Sequence, residues 1–138
     1  KKPMKDKLFL DSNILVYCYS TSDMHKRGIA RALSSQDNAH ISTQVLNETT
    51  NVLAKKYSIP WSDLAKLIND FENNFTVRLV SISEIRKACG IAERYGFSFF
   101  DSLMVASALD CNCEVLYSED MQNGQVIEDK LKIVNPFL

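Results

Sequence analysis

The chain has few of the side chains that build disulfide frameworks and zinc sites. Its 138 residues include four cysteines and two histidines. Cys18 and Cys89 are isolated, and the spacing of Cys111 and Cys113 does not fit a zinc knuckle and has no second pair to complete one. We therefore predict reduced, mostly buried thiols and assign neither histidine a ligand role.

Long apolar runs and an excess of positive charge are also absent. Charged or polar residues interrupt every apolar stretch before it reaches the length of a membrane helix, and the basic start at residues 1–7 lacks the apolar segment of a signal peptide. We therefore expect a cytoplasmic protein that does not associate with membranes. The formal net charge of −1 argues against a protein that coats nucleic acid non-specifically, although it does not exclude a nuclease.

Short strand-like runs alternate with longer helical ones along the whole chain. The apolar pattern predicts strands at residues 7–10, 39–42, 77–80, 114–117 and 132–134. Helices are predicted between them at residues 14–19, 24–33, 43–56 and 99–109, with Ser62 and Ser83 as the N-caps of two more. This alternation predicts an α/β fold with a parallel sheet and helices on both faces. No repeat, low-complexity tract or linker interrupts it, so we predict a single domain over residues 1–138.

Four acids stand where the predicted strands and helices meet. Asp11 follows the first strand and Asp120 follows the fourth, while Asp101 opens a helix and Glu48 lies in an otherwise apolar helical pattern. In parallel sheets, functional groups gather at the carboxyl ends of the strands, near the point where the strand order reverses. If the fold brings these four acids together, they form an oxygen-rich pocket suited to a hard divalent cation. Such a pocket points to metal-dependent phosphodiester chemistry.

Each of these acids also has an ordinary structural explanation. Asp11 or Ser12 suits the N-cap of the following helix, and Glu48 falls at the border of an apolar helix face, where it can reach solvent. Ser98 and Asp101 fit a capping box, although an acid at the start of so apolar a helix needs a partner such as a cation. No single acid indicates a metal site. The placement of all four together does.

Four segments occur in series at spacings that form a recognisable pattern. They are Leu10–Asn13, Leu46–Glu48, Phe100–Ala108 and Leu116–Met121, followed by a last strand at residues 133–137. With these segments the whole chain resembles the PIN-domain ribonucleases, and in particular the VapC-type toxins of bacterial toxin–antitoxin pairs. Ser12 and Ser118 stand where that family usually has threonine, and both keep the hydroxyl group.

The resemblance implies a PIN-like three-layer sandwich, with a parallel five-stranded sheet between helices, and a Mg²⁺- or Mn²⁺-dependent endoribonuclease. Its catalytic residues and metal ligands would be Asp11, Glu48, Asp101 and Asp120. The residues that orient these acids or bridging waters would be Ser12, Asn13 and Ser118. Without a cation the close carboxylates repel, so the pKa of at least one should be raised. The implied partners are an RNA substrate, a cognate antitoxin and a second copy of the chain in a homodimer.

Binding of RNA by a chain with a net charge of −1 requires local basic groups near the site. Lys26, Arg27 and Arg31 lie on the helix after the one that Asn13 opens, and they are the first candidates for phosphate contacts. A single-stranded or looped RNA fits such a site best, because its backbone can bend into an acidic cleft.

Three other functions match parts of the pattern. A haloacid-dehalogenase-like phosphatase also has an aspartate after its first strand, but it needs a second acid two residues later, where this chain has Asn13. A receiver-like signalling domain expects paired acids early in the chain, which residues 5–7 do not supply. A catalytically inactive or non-toxin PIN module, acting as a metal-binding or protein-interaction scaffold, would have lost one or more of the acids, whereas all four are present.

Overall fold

Strands and helices alternate along the chain in a computed structural model that describes residues 6–138. The first residues of the basic N-terminal segment, 1–5, lie outside the described part. The strands are β1 (Leu8–Leu10), β2 (Ala39–Ser42), β3 (Thr76–Arg78), β4 (Val115–Tyr117), β5 (Val126–Ile127) and β6 (Leu131–Val134). The helices are α1 (Ser12–Tyr17), α2 (Met24–Ser34), α3 (Thr43–Lys56), α4 (Trp61–Asn74), α5 (Ile82–Tyr95) and α6 (Phe99–Asp110).

One sheet joins all six strands in the order β3-β2-β1-β4-β6-β5. The first five of these are parallel to their neighbours, and β5 pairs antiparallel with β6 at the edge. The predicted α/β fold, with a mostly parallel central sheet flanked by helices, is confirmed. The predicted count of five strands omitted β5, because a two-residue strand carries no periodic pattern that a sequence could reveal.

The centre of the sheet is buried on both faces. All three residues of β1 are buried, as expected for a parallel strand with a neighbour on each side and layers above and below. Helix α6 is buried at every position from Ser102 to Leu109 and packs mainly against α5. An all-round apolar sequence therefore predicts this helix's burial correctly.

The N-caps of two helices differ from the sequence prediction. Helix α5 begins after Ser81, not Ser83, and Ser81 forms a capping box with Glu84. The Glu84 carboxylate is fully buried and accepts from the Ser81 N–H at 2.9 Å. The reason is spacing, since Ser81 and not Ser83 precedes the glutamate by three residues. Helix α4 follows Pro60 at its N-cap and has no side-chain cap, so the predicted cap by Ser62 is wrong.

Two expectations from composition can be compared with the structure. All four cysteines are free thiols, but only Cys113 is buried and Cys89 is exposed, so the prediction that most are buried is wrong. Within residues 6–138, no helix combines the length and the apolar character needed to span a membrane.

We predict that Ser81→Ala lowers the free energy of unfolding by about 1 kcal/mol, because it removes the hydroxyl that caps α5. Ser83→Ala is the matched control, since Ser83 is exposed and lies inside the first turn, and its effect should stay within about 0.5 kcal/mol. Urea denaturation of both variants measures the difference. Equal losses would show that Ser81 does not act as the cap.

Candidate active site

The adjacent ends of β1 and β4 bring two polar segments together. Leu10 pairs with Tyr117, so Asp11 and Ser118 are the next residues on the two parallel strands. The N–H of Asp11 donates to the carbonyl of Tyr117 at 3.0 Å, and Ser118 Oγ donates to Asp11 Oδ2 at 2.7 Å. Because the chain runs from β1 to strands on one side and later returns on the other, the strand order reverses here.

Asp11 is a buried carboxylate with a perturbed pKa. Its side chain is 7% exposed, and its Oδ1 accepts from the Ser12 N–H at 2.6 Å as the N-cap of α1. Burial raises the pKa of Asp11 to about 6, and the negative charges of Glu48 and Asp101 add to the increase. The hydrogen bonds from Ser118 and Ser12 oppose it but do not cancel it. A nearby cation would therefore stabilise this carboxylate.

Asn13 links Asp11 to Asp120. Its Nδ2 donates to Asp11 Oδ2 at 3.3 Å and to Asp120 Oδ2 at 3.1 Å. Its Oδ1 accepts from the N–H of Glu119 at 3.4 Å, which fixes the orientation of the amide. The N–H of Asp120 in turn donates to Ser118 Oγ at 3.2 Å. The loop after β4 is therefore tied to the start of α1 by side chains of both segments.

Glu48 reaches the same place from α3. Ser12 Oγ lies 3.5 Å from Glu48 Oε2, and Gln44 Nε2 donates to Oε1 at 3.3 Å. Partial burial raises the pKa of Glu48, and the charge of Asp101 raises it further. The glutamate is half-buried, as its predicted position at the border of the apolar face of α3 implies.

Asp101 is the fourth acid, at the start of α6. Its N–H donates to Ser98 Oγ at 3.2 Å, which is one half of a capping box. In the described part of the chain no bond returns from the Ser98 N–H to the Asp101 carboxylate. That carboxylate instead lies close enough to Asp11 and Glu48 to raise the pKa of both. The structure thus connects Asp11, Glu48 and Asp120 through hydrogen bonds of Ser12 and Asn13, and the charge of Asp101 acts on Asp11 and Glu48.

The oxygen atoms of the candidate site are of the kind that binds a hard cation, but the side chains that carry them do not converge on one point. Carboxylate and hydroxyl oxygens are the ligands that Mg²⁺ and Mn²⁺ prefer. Among residues 6–138, no three histidine, cysteine or acidic side chains stand in positions that would hold a metal ion. Asp11, Glu48 and Asp120 each accept hydrogen bonds from neighbouring side chains. A cation would have to compete with these bonds and draw the carboxylates inward.

The predicted basic residues all make contacts within the protein. Lys26 Nζ lies 2.5 Å from Glu119 Oε2. Arg27 and Arg31 donate to main-chain carbonyl oxygens just after α1, at 3.4 and 2.9 Å. The contact of these three residues with RNA stays a prediction.

A cluster that the sequence did not reveal supports the loop after β4. Tyr17 donates to Glu119 Oε1 at 2.6 Å, and Lys26 Nζ lies 5.0 and 5.3 Å from the ring centres of Tyr17 and Phe137. Partial burial alone would raise the pKa of Glu119, but Lys26 and Tyr17 together lower it. No spacing rule connects α1, α2, the β4 loop and the C-terminal segment, so only the fold could show this contact.

Comparison with known proteins identifies the sequence family and the fold. The family model described as PIN domain matches residues 8–123, a range that includes all four acids. No match was found among curated protein sequences.

Similar solved structures include three with TM-scores well above 0.5. One is Mycobacterium tuberculosis VapC20, described as a sarcin–ricin loop cleaving toxin, with a TM-score of 0.68, 19% identity, and coverage of 83% of this chain and 92% of that one. Another is a toxin–antitoxin complex from Klebsiella pneumoniae, with a TM-score of 0.68 and 20% identity. The match covers 94% of this chain and 97% of that one. A third is VapBC2 from Rickettsia felis bound to a DNA fragment from its promoter, with a TM-score of 0.64 and 18% identity. The match covers 93% of this chain and 98% of that one. At these identities the likeness shows the fold.

We predict that the contribution of Asp11 to the stability of the metal-free protein falls as the pH rises from about 4 to 6. The pKa of Asp11 is raised from 3.8 to about 6, so the folded state binds this proton more tightly than the unfolded state does. The resulting stabilisation is present below pH 4 and is lost through pH 6, and it amounts to at most about 3 kcal/mol.

Asp11→Asn removes this titration, so the variant should gain stability relative to the wild type as the pH rises through the same window. Urea denaturation of both proteins in EDTA between pH 4 and 7 measures the difference. A difference that does not change with pH would contradict the raised pKa.

Proposed function

The chain belongs to the PIN domain family, and on that premise we propose that it is a Mg²⁺- or Mn²⁺-dependent endoribonuclease. The observation that supports this most directly is the meeting of Asp11, Glu48, Asp101 and Asp120 at one edge of the sheet. One of these carboxylates is buried with a raised pKa, as expected where a bound cation normally supplies the compensating charge.

The proposed roles follow from the contacts. The four acids would hold one or two divalent cations, because hard cations prefer carboxylate oxygens as ligands. A bound cation would lower the pKa of a water ligand and offset the negative charge that develops on the phosphate. Ser118 and the Ser12 N–H hold the Asp11 carboxylate in one orientation. Asn13 sets the distance between Asp11 and Asp120 through its two hydrogen bonds.

A toxin role in a toxin–antitoxin pair is part of the same proposal. The structures described as a sarcin–ricin loop cleaving toxin and as a toxin–antitoxin complex share the fold of this chain over 83% and 94% of its length. The proposed partners are an RNA substrate, an antitoxin protein and a second copy of the chain in a homodimer. A cytoplasmic location agrees with an RNA substrate and with four free thiols.

A non-catalytic PIN module, acting as a metal-binding or protein-interaction scaffold, is the second candidate. One observation favours its protein-interaction form, namely that within residues 6–138 the acids do not already form a closed ligand set. The two candidates differ in whether added metal ions produce RNA cleavage.

We predict that the wild-type chain cleaves a fluorogenic single-stranded RNA with Mg²⁺ or Mn²⁺ and not in EDTA. Neutralising any of the four acids should lower kcat/KM by at least about 100-fold, because loss of an outer-shell partner of a metal site already costs 10- to 100-fold. The variants are Asp11→Asn, Glu48→Gln, Asp101→Asn and Asp120→Asn. Glu72→Gln, which changes an exposed acid on α4, is the matched control and should retain full activity.

Calorimetric titration with Mn²⁺ separates loss of the metal from loss of the fold. Each of the four variants should bind Mn²⁺ more weakly than the wild type while unfolding cooperatively in urea. Undiminished cleavage by Asp11→Asn would overturn the assignment of the site. Tight Mn²⁺ binding without cleavage of any RNA would favour the scaffold.

A further inference from the structure

A cavity of about 500 Å³ adjoins the candidate site and is lined by one of its four acids, Asp120. Ser12, Asn13 and Asp120 belong to both the candidate site and the cavity, and Ser20 and Ser22 also line the cavity. The volume falls in the range of roughly 300–1,000 Å³ that is typical of small-molecule sites. A group that enters this cavity from the active site would therefore meet hydroxyl and amide groups on several sides.

The acids that line the cavity are mostly committed to other contacts. Asp23 accepts the N–H of Lys26 at 3.0 Å as the N-cap of α2. Glu119 accepts from both Lys26 and Tyr17, at 2.5 and 2.6 Å. Lys26 therefore forms an ion pair with an acid of the protein itself. Asp120 belongs to the proposed metal site, where a cation would neutralise it.

Lys56 supplies a different positive charge at the cavity. It lies in the last turn of α3, it is exposed, and within residues 6–138 no carboxylate forms an ion pair with it. Its Nζ stands 5.6 Å from the ring centre of the neighbouring Tyr57, which also lines the cavity. An ammonium group and a half-buried aromatic ring thus stand together at the cavity, which also contains the Asp120 carboxylate.

We propose that this cavity binds the nucleotide of a single-stranded RNA that flanks the scissile phosphate. Lys56 contacts a phosphate of that strand, and the ring of Tyr57 lies against its base. Bases of single-stranded RNA are recognised by hydrogen bonds to their edges and by stacking on aromatic rings, and both kinds of group are present. The ammonium, hydroxyl and amide groups of the lining favour RNA over an apolar peptide segment, and Val16 and Val52 supply apolar surface beside them. The inference rests on the proposed function, since it extends the same site by one nucleotide.

A purely structural role for Lys56 has to be separated from this one. Positive charges in the last turn of a helix interact favourably with its carboxyl end. Lys55 occupies the same turn of α3 and is exposed, but it does not line the cavity. Lys55→Met therefore reproduces the loss of charge at the helix end without touching the proposed nucleotide site.

The test is the affinity for a labelled single-stranded RNA, measured by fluorescence anisotropy across a series of salt concentrations. Ca²⁺ replaces Mg²⁺, because its looser coordination is poorly suited to hydrolysis and binding can be measured without turnover. Lys56→Met should weaken binding by about 5- to 10-fold at 0.1 M salt and reduce the slope of log Kd against log salt by about 0.7, the value for one phosphate of a single strand. Lys55→Met should change neither quantity.

Tyr57→Leu tests the base contact separately from the charge of Lys56. Joint neutralisation of Lys26, Arg27 and Arg31 tests whether α2 makes the phosphate contacts instead. Tyr57→Leu should weaken binding by at least about 5-fold, by loss of stacking, and leave the slope unchanged. Equal behaviour of Lys56→Met and Lys55→Met would overturn the proposal. So would a flatter slope that appears only when Lys26, Arg27 and Arg31 are neutralised together, because it would place the phosphate contacts on α2. Cleavage by the wild type in Mg²⁺, measured separately, shows whether the proposed function itself holds.

Discussion

The parallel pairing of β1 with β4 is the constraint on which the site depends. Leu10 stands opposite Tyr117, and this register places Asp11 against Ser118 one residue later. A slip of one residue would turn each side chain of β1 to the opposite face of the sheet and break the hydrogen bond between Ser118 and Asp11. The apolar residues of β1 are buried on both faces, and a slip would force each of them to repack against different neighbours. A hydrophobic interaction thus fixes the position of a polar one.

The cost of burying Asp11 explains much of the polar structure around it. A buried carboxylate is unfavourable unless hydrogen bonds or positive charge compensate for the lost solvent. Ser118, Ser12 and Asn13 all donate to it, yet burial still raises its pKa to about 6. Such partial compensation leaves a carboxylate that a divalent cation can stabilise further. The same hydrogen bonds give the side chain one orientation, which a metal ligand requires.

A second charged cluster, formed by Lys26, Glu119, Tyr17 and Phe137, supports the first. Glu119 stands next to Asp120 and is bound by α1 and α2 through Tyr17 and Lys26. Its N–H also meets Asn13, whose amide contacts both Asp11 and Asp120. The loop after β4 is therefore held from two sides. This arrangement pairs Lys26 with Glu119, while Lys56 is the lysine that lines the cavity beside the site.

The sequence by itself determined most of the helices and strands and the motifs of the family. The spacing of apolar residues and the apolar content of a segment indicate which of its residues are buried. The α/β alternation, the burial of α6, the positions of Asp11, Asp101 and Asp120 near element ends and that of Glu48 within a helix could all be predicted in this way. The spacing of Ser81 to Glu84 also indicates the cap of α5, whereas the short strand β5 and the pairing of Lys26 with Glu119 could not be predicted from the sequence. Each depends on a single contact, and the last joins residues 93 positions apart. The tertiary structure alone decides such contacts, since packing of whole elements sets which distant polar groups meet.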